Sequence, residues 1–269
     1  MISIDDFHTV KSESSSKGNQ HKFYSNGYWV KLDNYRCSEG LAEEFVSKFE
    51  SLIIDFPYVE YKTDLFSLNG DEYKGCYCYN MYNDINVVFY PLRHILKSNN
   101  IPLNIFIKDE DIARNIQNVI EVILKITGLN ITDYLFRLLF LDALILNEDR
   151  HYMNLGVCYR GTQYMQSACF DNGASLFCTN WTYRKNKSLE ENIASAMSVA
   201  RPFSKFYDKQ VDACIRLGAK PLQIYKKGLD WLMGNYNNPL YDDKTNNLVK
   251  VILNNRLAYY HNKGVYEFI

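Results

Sequence analysis

Asn147-Glu148-Asp149-Arg150-His151-Tyr152-Met153-Asn154 is the stretch on which the fold of this 269-residue chain turns. It follows Tyr134 to Leu146, a segment apolar on nearly every side, the pattern of a buried central helix. It precedes two short strand-like runs, Leu155 to Arg160 and Gln163 to Phe170, joined at Gly161-Thr162. At the far end of that hairpin, 22 positions after Asp149, stands Asp171-Asn172-Gly173. An Asp, an Asn five residues on, a hairpin and a second Asp before a Gly is the order of groups that phosphoryl transfer needs. The first Asp accepts or orients the proton of an attacking hydroxyl. The Asn and the second Asp offer hard oxygen ligands to Mg²⁺. The hairpin would bring these distant ligands together, and Gly173 is expected to let the backbone turn sharply past the metal. A polar loop and an ordinary turn would explain either half alone, but not both halves in this order after a buried helix.

Upstream, the pattern is that of strands. His21 to Asp33 alternates around Asn26-Gly27, and Tyr58 to Leu68 and Tyr73 to Met81 flank Asn69-Gly70-Asp71, two hairpin signals. Between them Leu41 to Ile53 is predicted helical, with Leu41, Phe45, Phe49 and Leu52 on one stripe and Glu43, Glu44 and Lys48 beside it. Past Pro91 the periodicity becomes helical. Asp111 to Thr127 carries an apolar stripe that ends before Gly128. Thr132 is expected to cap the buried helix, Ser188 and Glu191 to form a capping box, and Ser204 to cap a helix ending near Gly218. Pro221 is read as a first-turn residue, and Asn246 to Tyr260 as a last helix. The fold class is therefore α+β, a bilobal chain. Residues 1–90 form a β-rich lobe with one helix and residues 91–269 a larger helical lobe, with the cleft between them the default place for a ligand.

A nucleotide-dependent transferase needs three further features in the first lobe. Lys31, in the alternating run Tyr28-Trp29-Val30-Lys31-Leu32, can reach the phosphates of ATP. Glu43 on the following helix can hold that Lys, with Glu44 and Glu39 as alternatives. Ser14-Ser15-Ser16-Lys17-Gly18-Asn19-Gln20 is small and polar enough for its N–H groups to cradle phosphates, although it has no Gly-x-Gly-x-x-Gly pattern.

Composition sets limits. Thirty basic and 31 acidic residues leave no bulk positive field, which argues against nucleic acid or an anionic membrane as direct partner. The apolar content of 47% excludes general disorder. Met1 to Asp6 lacks the pattern of a secretory signal, no run suits a membrane span, and seven Cys lack disulfide-framework spacing, so a reduced, cytoplasmic protein is expected. Cys76-x-Cys78 has no second pair at zinc spacing and is read as strand packing. No Gly-x-Ser-x-Gly elbow supports a hydrolase, and His151 is read as orienting the loop rather than as a base. Trp181 to Lys187 is a basic, aromatic segment placed where a substrate could meet it.

Taken together these motifs resemble one family. Ser16-Lys17-Gly18-Asn19-Gln20-His21-Lys22 resembles the Ser-Gly-x-Gln-x-Lys segment of HipA-like serine/threonine kinases. Leu41-Ala42-Glu43 is similar to their Glu-bearing helix, and Gly75 to Met81 to their hinge. Asn147-x-Asp149-x-His151-x-x-Asn154, Asp171-Asn172-Gly173 and Arg201-Pro202-Phe203-Ser204 with Gln210 also resemble that family. The resemblance implies a bilobal kinase that moves the γ-phosphate of ATP to Ser or Thr with Mg²⁺. By position, Asp149 with His151 beside it is catalytic, and Asn154 and Asp171 hold the metal. Lys31, Glu43, Ser16, Gly18, Gln20, Tyr79 and Met81 surround ATP. Several members are toxins with antitoxin partners and some act on aminoacyl-tRNA synthetases, so a protein substrate of the translation apparatus and an antitoxin are implied. Some autophosphorylate a loop Ser, for which Ser16 is the candidate and Ser15 and Ser14 the alternatives. Lys17 interrupts that motif, and the chain resembles compact members without an extra N-terminal subdomain. Asp149-Arg150-His151-x-x-Asn154 also resembles phosphatidylinositol kinases, which leaves a lipid or small-molecule kinase as one alternative. An inactive kinase-like binding module is the other.

Overall fold

A computed structural model describes residues 1–10, 20–102, 111–179, 183 and 186–269. Six strands and one helix come first: β1 (Ile2–Ser3), β2 (His8–Val10), β3 (Lys22–Ser25), β4 (Tyr28–Leu32), α1 (Glu39–Glu50), β5 (Tyr61–Leu68) and β6 (Asp71–Tyr79). Their order in the sheet is β1-β5-β6-β4-β3-β2, antiparallel except for β1 on β5. Both expected hairpins are present. Asn26 and Gly27 have φ of 50° and 85°, and Asn69 and Gly70 have 53° and 85°, the paired positive values that two-residue hairpin turns require. The two short strands β1 and β2 carry too few residues for alternation to reveal them.

Register decides which side chains of the sheet face α1. Lys22 lies opposite Lys31 and Lys31 opposite Cys76, while Tyr24 lies opposite Trp29 and Trp29 opposite Cys78. Directly opposed residues share a face, so these side chains line the side toward α1. Phe23, Val30 and Tyr77 fall on the other face and pack with Ile4 and Phe66 into a separate core. Cys76 and Cys78 are buried strand residues, as expected, and pack with Val59, Tyr61 and Ala168, with Trp29, Met81 and Phe170 against them.

Helix α1 starts and ends slightly before the predicted segment, leaving Leu52 and Ile53 beyond its last turn. Its stripe of Leu41, Phe45 and Phe49 is fully buried, but so is Glu43, which the pattern placed at the margin. The helix start is tied to the end of β4. The Gly40 N–H donates to Asp33 Oδ1 at 2.7 Å, and Glu39 accepts from the Asn34 N–H at 3.1 Å and from its side chain at 2.8 Å.

The rest of the chain runs through a short 3₁₀ turn at Met81–Asn83 into β7 (Val87–Pro91), α2 (Leu92–Ser98), α3 (Ile112–Thr127), α4 (Thr132–Ile145), β8 (Gly156–Arg160) and β9 (Gln163–Gln166). Then come α5 (Leu189–Ala196), α6 (Tyr207–Arg216), β10 (Leu222–Ile224), α7 (Lys226–Asn235), α8 (Asp243–Tyr260) and β11 (Tyr266–Phe268). Strand β7 joins β8 and β9 in a three-stranded sheet, and β10 pairs with β11. Helix α4 is the expected central helix: from Tyr134 to Ile145 every residue but Arg137 is buried. The Asp111 cap, the Gly128 terminator of α3 and the Ser188–Glu191 capping box all form.

Three expectations about helix starts are corrected. Thr132 is the first residue of α4, not its cap, and its own N–H, a free donor at the helix start, is taken up by the Asn130 side chain at 2.9 Å. Ser204 does not cap α6 directly. Its Oγ accepts from the Phe206 N–H at 3.1 Å, and the helix begins one residue later. Pro221 precedes a strand, β10, where its missing N–H removes no helical bond. Among the described residues no helix is long and apolar enough to cross a membrane.

Candidate active site

The loop after α4 is closed by its own side chains. Leu146 ends the helix in the left-handed region, at φ 51°. Asn147 then accepts the Asp149 N–H at 3.0 Å, and the buried Tyr207 hydroxyl donates to the Asn147 carbonyl at 2.6 Å. Asn154 spans the loop from the other end. Its Oδ1 accepts the His151 N–H at 2.8 Å and its amide donates to the Asp149 carbonyl at 3.0 Å. The Asp149 side chain is thereby presented on a rigid turn, the property a proton acceptor needs.

Beneath the loop lies a buried polar network. Arg150 is fully buried and forks onto Asp142 of α4, with Nε to Oδ2 at 3.0 Å and Nη2 to Oδ1 at 3.0 Å. The same guanidinium donates to the Phe170 carbonyl at 2.9 Å and to Asn172 Oδ1 at 2.7 Å. Asn172 passes the connection to α1: its amide donates to Glu50 Oε1 at 3.1 Å and its backbone N–H to Glu43 Oε2 at 2.8 Å. A charge buried this deeply persists only when paired and hydrogen-bonded. Burial raises the Glu50 carboxyl to about 8, partly offset by the Cys169 thiol and Arg150.

Asp171 lies next to this network, within reach of two lysines of the sheet. Lys31 Nζ lies 2.7 Å from Asp171 Oδ1 and 2.5 Å from Glu43 Oε1, and Lys22 Nζ lies 3.4 Å from Asp171 Oδ2. Of the three acidic candidates on α1, Glu43 meets Lys31. Glu39 is engaged by Asn34, and Glu44 accepts the Thr63 N–H and hydroxyl at 2.8 and 2.6 Å. Burial would raise the Asp171 carboxyl, but Lys22 and Lys31 outweigh it and hold it well below the usual range. Burial likewise opposes the charge on Lys31, and Asp171 and Glu43 reverse the effect. Asp149 behaves differently. Burial and the nearby Asp171 charge push it up to about 7 against the pull of Arg201, Lys22 and Arg150. Two carboxylates in one site are thus set apart by their surroundings. His151 Nε2 lies 3.7 Å from Asp149 Oδ2, and burial lowers its pKa.

The turn at this motif differs from the sequence expectation. The positive φ belongs to Asp171, at 62°. Gly173 is small for another reason: a Cβ there would lie 3.1 Å from Glu39 Cβ and 3.4 Å from Glu43 Oε1. The glycine permits close approach to α1.

In the segment expected to be a hinge, Met81 packs against Cys76 and Cys78, its Sδ 3.6 Å from Cys158 Sγ. The Tyr79 side chain is half exposed and stacks near Tyr28, ring centroids 4.0 Å apart, on the face opposite Cys78. Gln20 is at the edge of the loop that precedes β3, and its buried Nε2 has no hydrogen-bond partner among the described residues. Ser14, Ser15, Ser16 and Gly18 lie outside the described residues, as does most of Trp181 to Lys187.

Asp142 and Glu50 were not expected at the site, and Lys22 and Arg201, although each stands in a motif quoted above, were given no place in it. Two of them had signals. Lys22 faces Lys31 by hairpin register, and Asp142 is a lone charge inside the apolar run of α4. Glu50 and Arg201 come together with the site only through tertiary packing.

The fold occurs in solved structures. A crystal structure of a Helicobacter pylori proinflammatory kinase, CtkA, matches with a TM-score of 0.61 over 96% of this chain and 94% of that chain, at 15% sequence identity. HipA of the Shewanella oneidensis MR-1 toxin–antitoxin system, in complex with HipB and its operator DNA, gives a TM-score of 0.48 at 11% identity over 94% of this chain and 66% of that chain. The first of these likenesses establishes that the chain has the α+β fold of a kinase. No protein-family model matches the chain, and no curated relative matches it.

Proposed function

We propose that the chain is a kinase that uses ATP and Mg²⁺ to phosphorylate Ser or Thr hydroxyls of a protein. The observation that carries the reading is the convergence of Lys31, Glu43 and Asp171 in one cluster, with Asp149 close enough to feel the Asp171 charge. Phosphoryl transfer asks a protein for positioning and charge rather than covalent chemistry, and these groups supply both. Lys31, held by Glu43, binds phosphate oxygens, and Lys22 offers a second cation on the same face. Asp149 orients the acceptor hydroxyl and receives its proton as the oxygen bonds to the γ-phosphorus. The bond to the β,γ-bridging oxygen breaks and ADP leaves.

The donor set fits Mg²⁺. Asp171 is kept ionised and Asn154 adds an amide oxygen, hard ligands of the type that share a magnesium ion with phosphates and water. When bound, the ion would neutralise charge on the phosphates. Cys76, Cys78, Met81 and Phe170, with Trp29, give the cleft an apolar wall suited to a base.

The test is transfer from γ-labelled ATP to the protein itself and to a cell extract. Wild type should label Ser or Thr, and Asp149→Ala should not. Equal labelling by both would defeat the role of Asp149. Labelling of lipid vesicles but never of protein would favour the lipid-kinase alternative, and no calorimetric binding of Mg-ATP would favour the binding module. Mass spectrometry of the same samples would show whether Ser14, Ser15 or Ser16 is modified. An aminoacyl-tRNA synthetase or another translation factor is the substrate class to try first, and co-purification would reveal an antitoxin.

A further inference from the structure

Arg201-Pro202-Phe203-Ser204 lies in the connection between α5 and α6. The segment is clamped by a buried amide: Gln210 of α6 donates Nε2 to the Arg201 carbonyl at 3.2 Å and accepts the Phe203 N–H at 3.0 Å. The Ala200 N–H closes the loop on the Lys205 carbonyl at 2.9 Å. The fully buried Phe203 sets its ring edge-on to Tyr152 of the catalytic loop, centroids 6.0 Å apart. From this support the partly exposed Arg201 side chain brings Nη1 to 3.3 Å from Asp149 Oδ1. The other oxygen, Oδ2, faces His151 Nε2 at 3.7 Å.

We propose that Arg201 is a positioning residue, which holds Oδ1 of Asp149 so that Oδ2 is the oxygen offered to the incoming hydroxyl. The inference rests on the kinase reading. A carboxylate rotates broadly about its last torsion, so one fixed contact on one oxygen sets its plane. Neighbouring cations are committed elsewhere: Arg150 to Asp142, Phe170 and Asn172, and Lys22 and Lys31 to Asp171. A planar guanidinium on a clamped backbone gives the direction that a flexible ammonium lacks.

The experiment compares wild type with Arg201→Ala, Arg201→Gln and Arg201→Lys for kcat, KM for Mg-ATP and thermal unfolding. Both neutral variants should lose about ten- to a hundred-fold in kcat, with KM for Mg-ATP nearly unchanged, as expected for a misaimed group that does not bind the nucleotide. Arg201→Lys should keep more activity than either. Methylguanidinium in solution should restore part of the kcat of Arg201→Ala, and an equal concentration of NaCl should not. A wild-type kcat in Arg201→Ala overturns the inference, as does a loss shared equally with Mg-ATP affinity, or a folded Arg201→Ala that no guanidinium restores. If Arg201→Ala does not fold, a wild-type kcat in folded Arg201→Gln overturns the inference equally. A wild-type protein that transfers no phosphoryl group overturns the kinase reading and this inference with it.

Discussion

Lys31 and Asp171 stand 140 positions apart in the chain and meet at 2.7 Å. The same ammonium closes on Glu43 at 2.5 Å, so one cation joins β4, α1 and the segment after β9. Glu43 is fully buried, so this ammonium is the counter-charge its carboxylate meets there.

Removing the cation should therefore cost both fold and function. Lys31→Met leaves Glu43, which is fully buried, without its counter-charge. Breaking a buried pair from one side typically costs roughly 3–5 kcal/mol. Lys31→Met should lower the unfolding free energy by about that amount and abolish transfer of label from ATP. Adding Glu43→Gln should recover stability but not activity, because the stranded charge is gone while the phosphate ligand is still missing. Denaturant titration of the two variants checks the first half and the labelling assay the second.

Lys22 is more exposed than Lys31 and its contact with Asp171 is longer, at 3.4 Å. Screening by water makes its contribution to folding small. Its value lies in the phosphates it would meet on the cleft face. Lys22→Gln should leave thermal unfolding close to wild type and raise KM for Mg-ATP by about ten-fold, the effect of losing ~1.4 kcal/mol of binding. The kcat should change far less, since the interaction is made with the bound nucleotide before and during transfer. Steady-state kinetics at fixed ionic strength would decide, and an unchanged KM would remove Lys22 from the nucleotide site.

Gly173 offers a steric test. A methyl group there enters ordinary contact distance of Glu43 Oε1 but presses Glu39 Cβ at 3.1 Å. The backbone of α1 must yield, and α1 carries Glu43. Gly173→Ala should cost about 1–3 kcal/mol, the usual range for overpacking. It should also reduce kcat by shifting the Glu43–Lys31 pair. Gly161→Ala is the contrast: that glycine has open space around it but a φ of 62°, so the cost there is backbone strain with no route to the active site.

These residues also show what a sequence can reveal. The order of Asp149, Asn154 and Asp171 around a hairpin, and the alternation that places Lys31 on one face of a strand, single out residues that the fold brings together, Lys31 with Asp171 and Asn154 with Asp149. The buried helix α4 was legible from its unbroken apolar run, and the hairpins from Asn-Gly. What failed was local competition. Asn130 takes the N–H of Thr132 itself, so that Thr132 enters the helix instead of capping it, and Ser204 spends its hydroxyl on Phe206. Strands of two or three residues, such as β1 and β10, have no period to detect. Glu50 carries no local signal, and the motif that contains Arg201 does not reveal its partner, since their contacts lie 122 and 52 positions away.

Glu50 gives the protein a pH dependence that can be signed. Its carboxyl is fully buried, bonded to Asn172, and raised from an ordinary 4.5 to about 8 by burial. The folded state thus keeps its proton across a range in which the unfolded chain has released it. Stability from this group is full below about pH 4.5 and falls as pH rises toward 8, because there the unfolded state binds fewer protons than the native one. Glu50→Gln keeps an oxygen for the Asn172 amide and has no proton to lose. The variant should unfold with a flatter dependence on pH between about 5 and 8 than wild type, and the two curves should diverge toward the alkaline end. Chemical unfolding at several pH values measures both slopes directly. Parallel curves would mean that Glu50 is ionised in the native protein and that Arg150, two contacts away through Asn172, supplies the compensating charge.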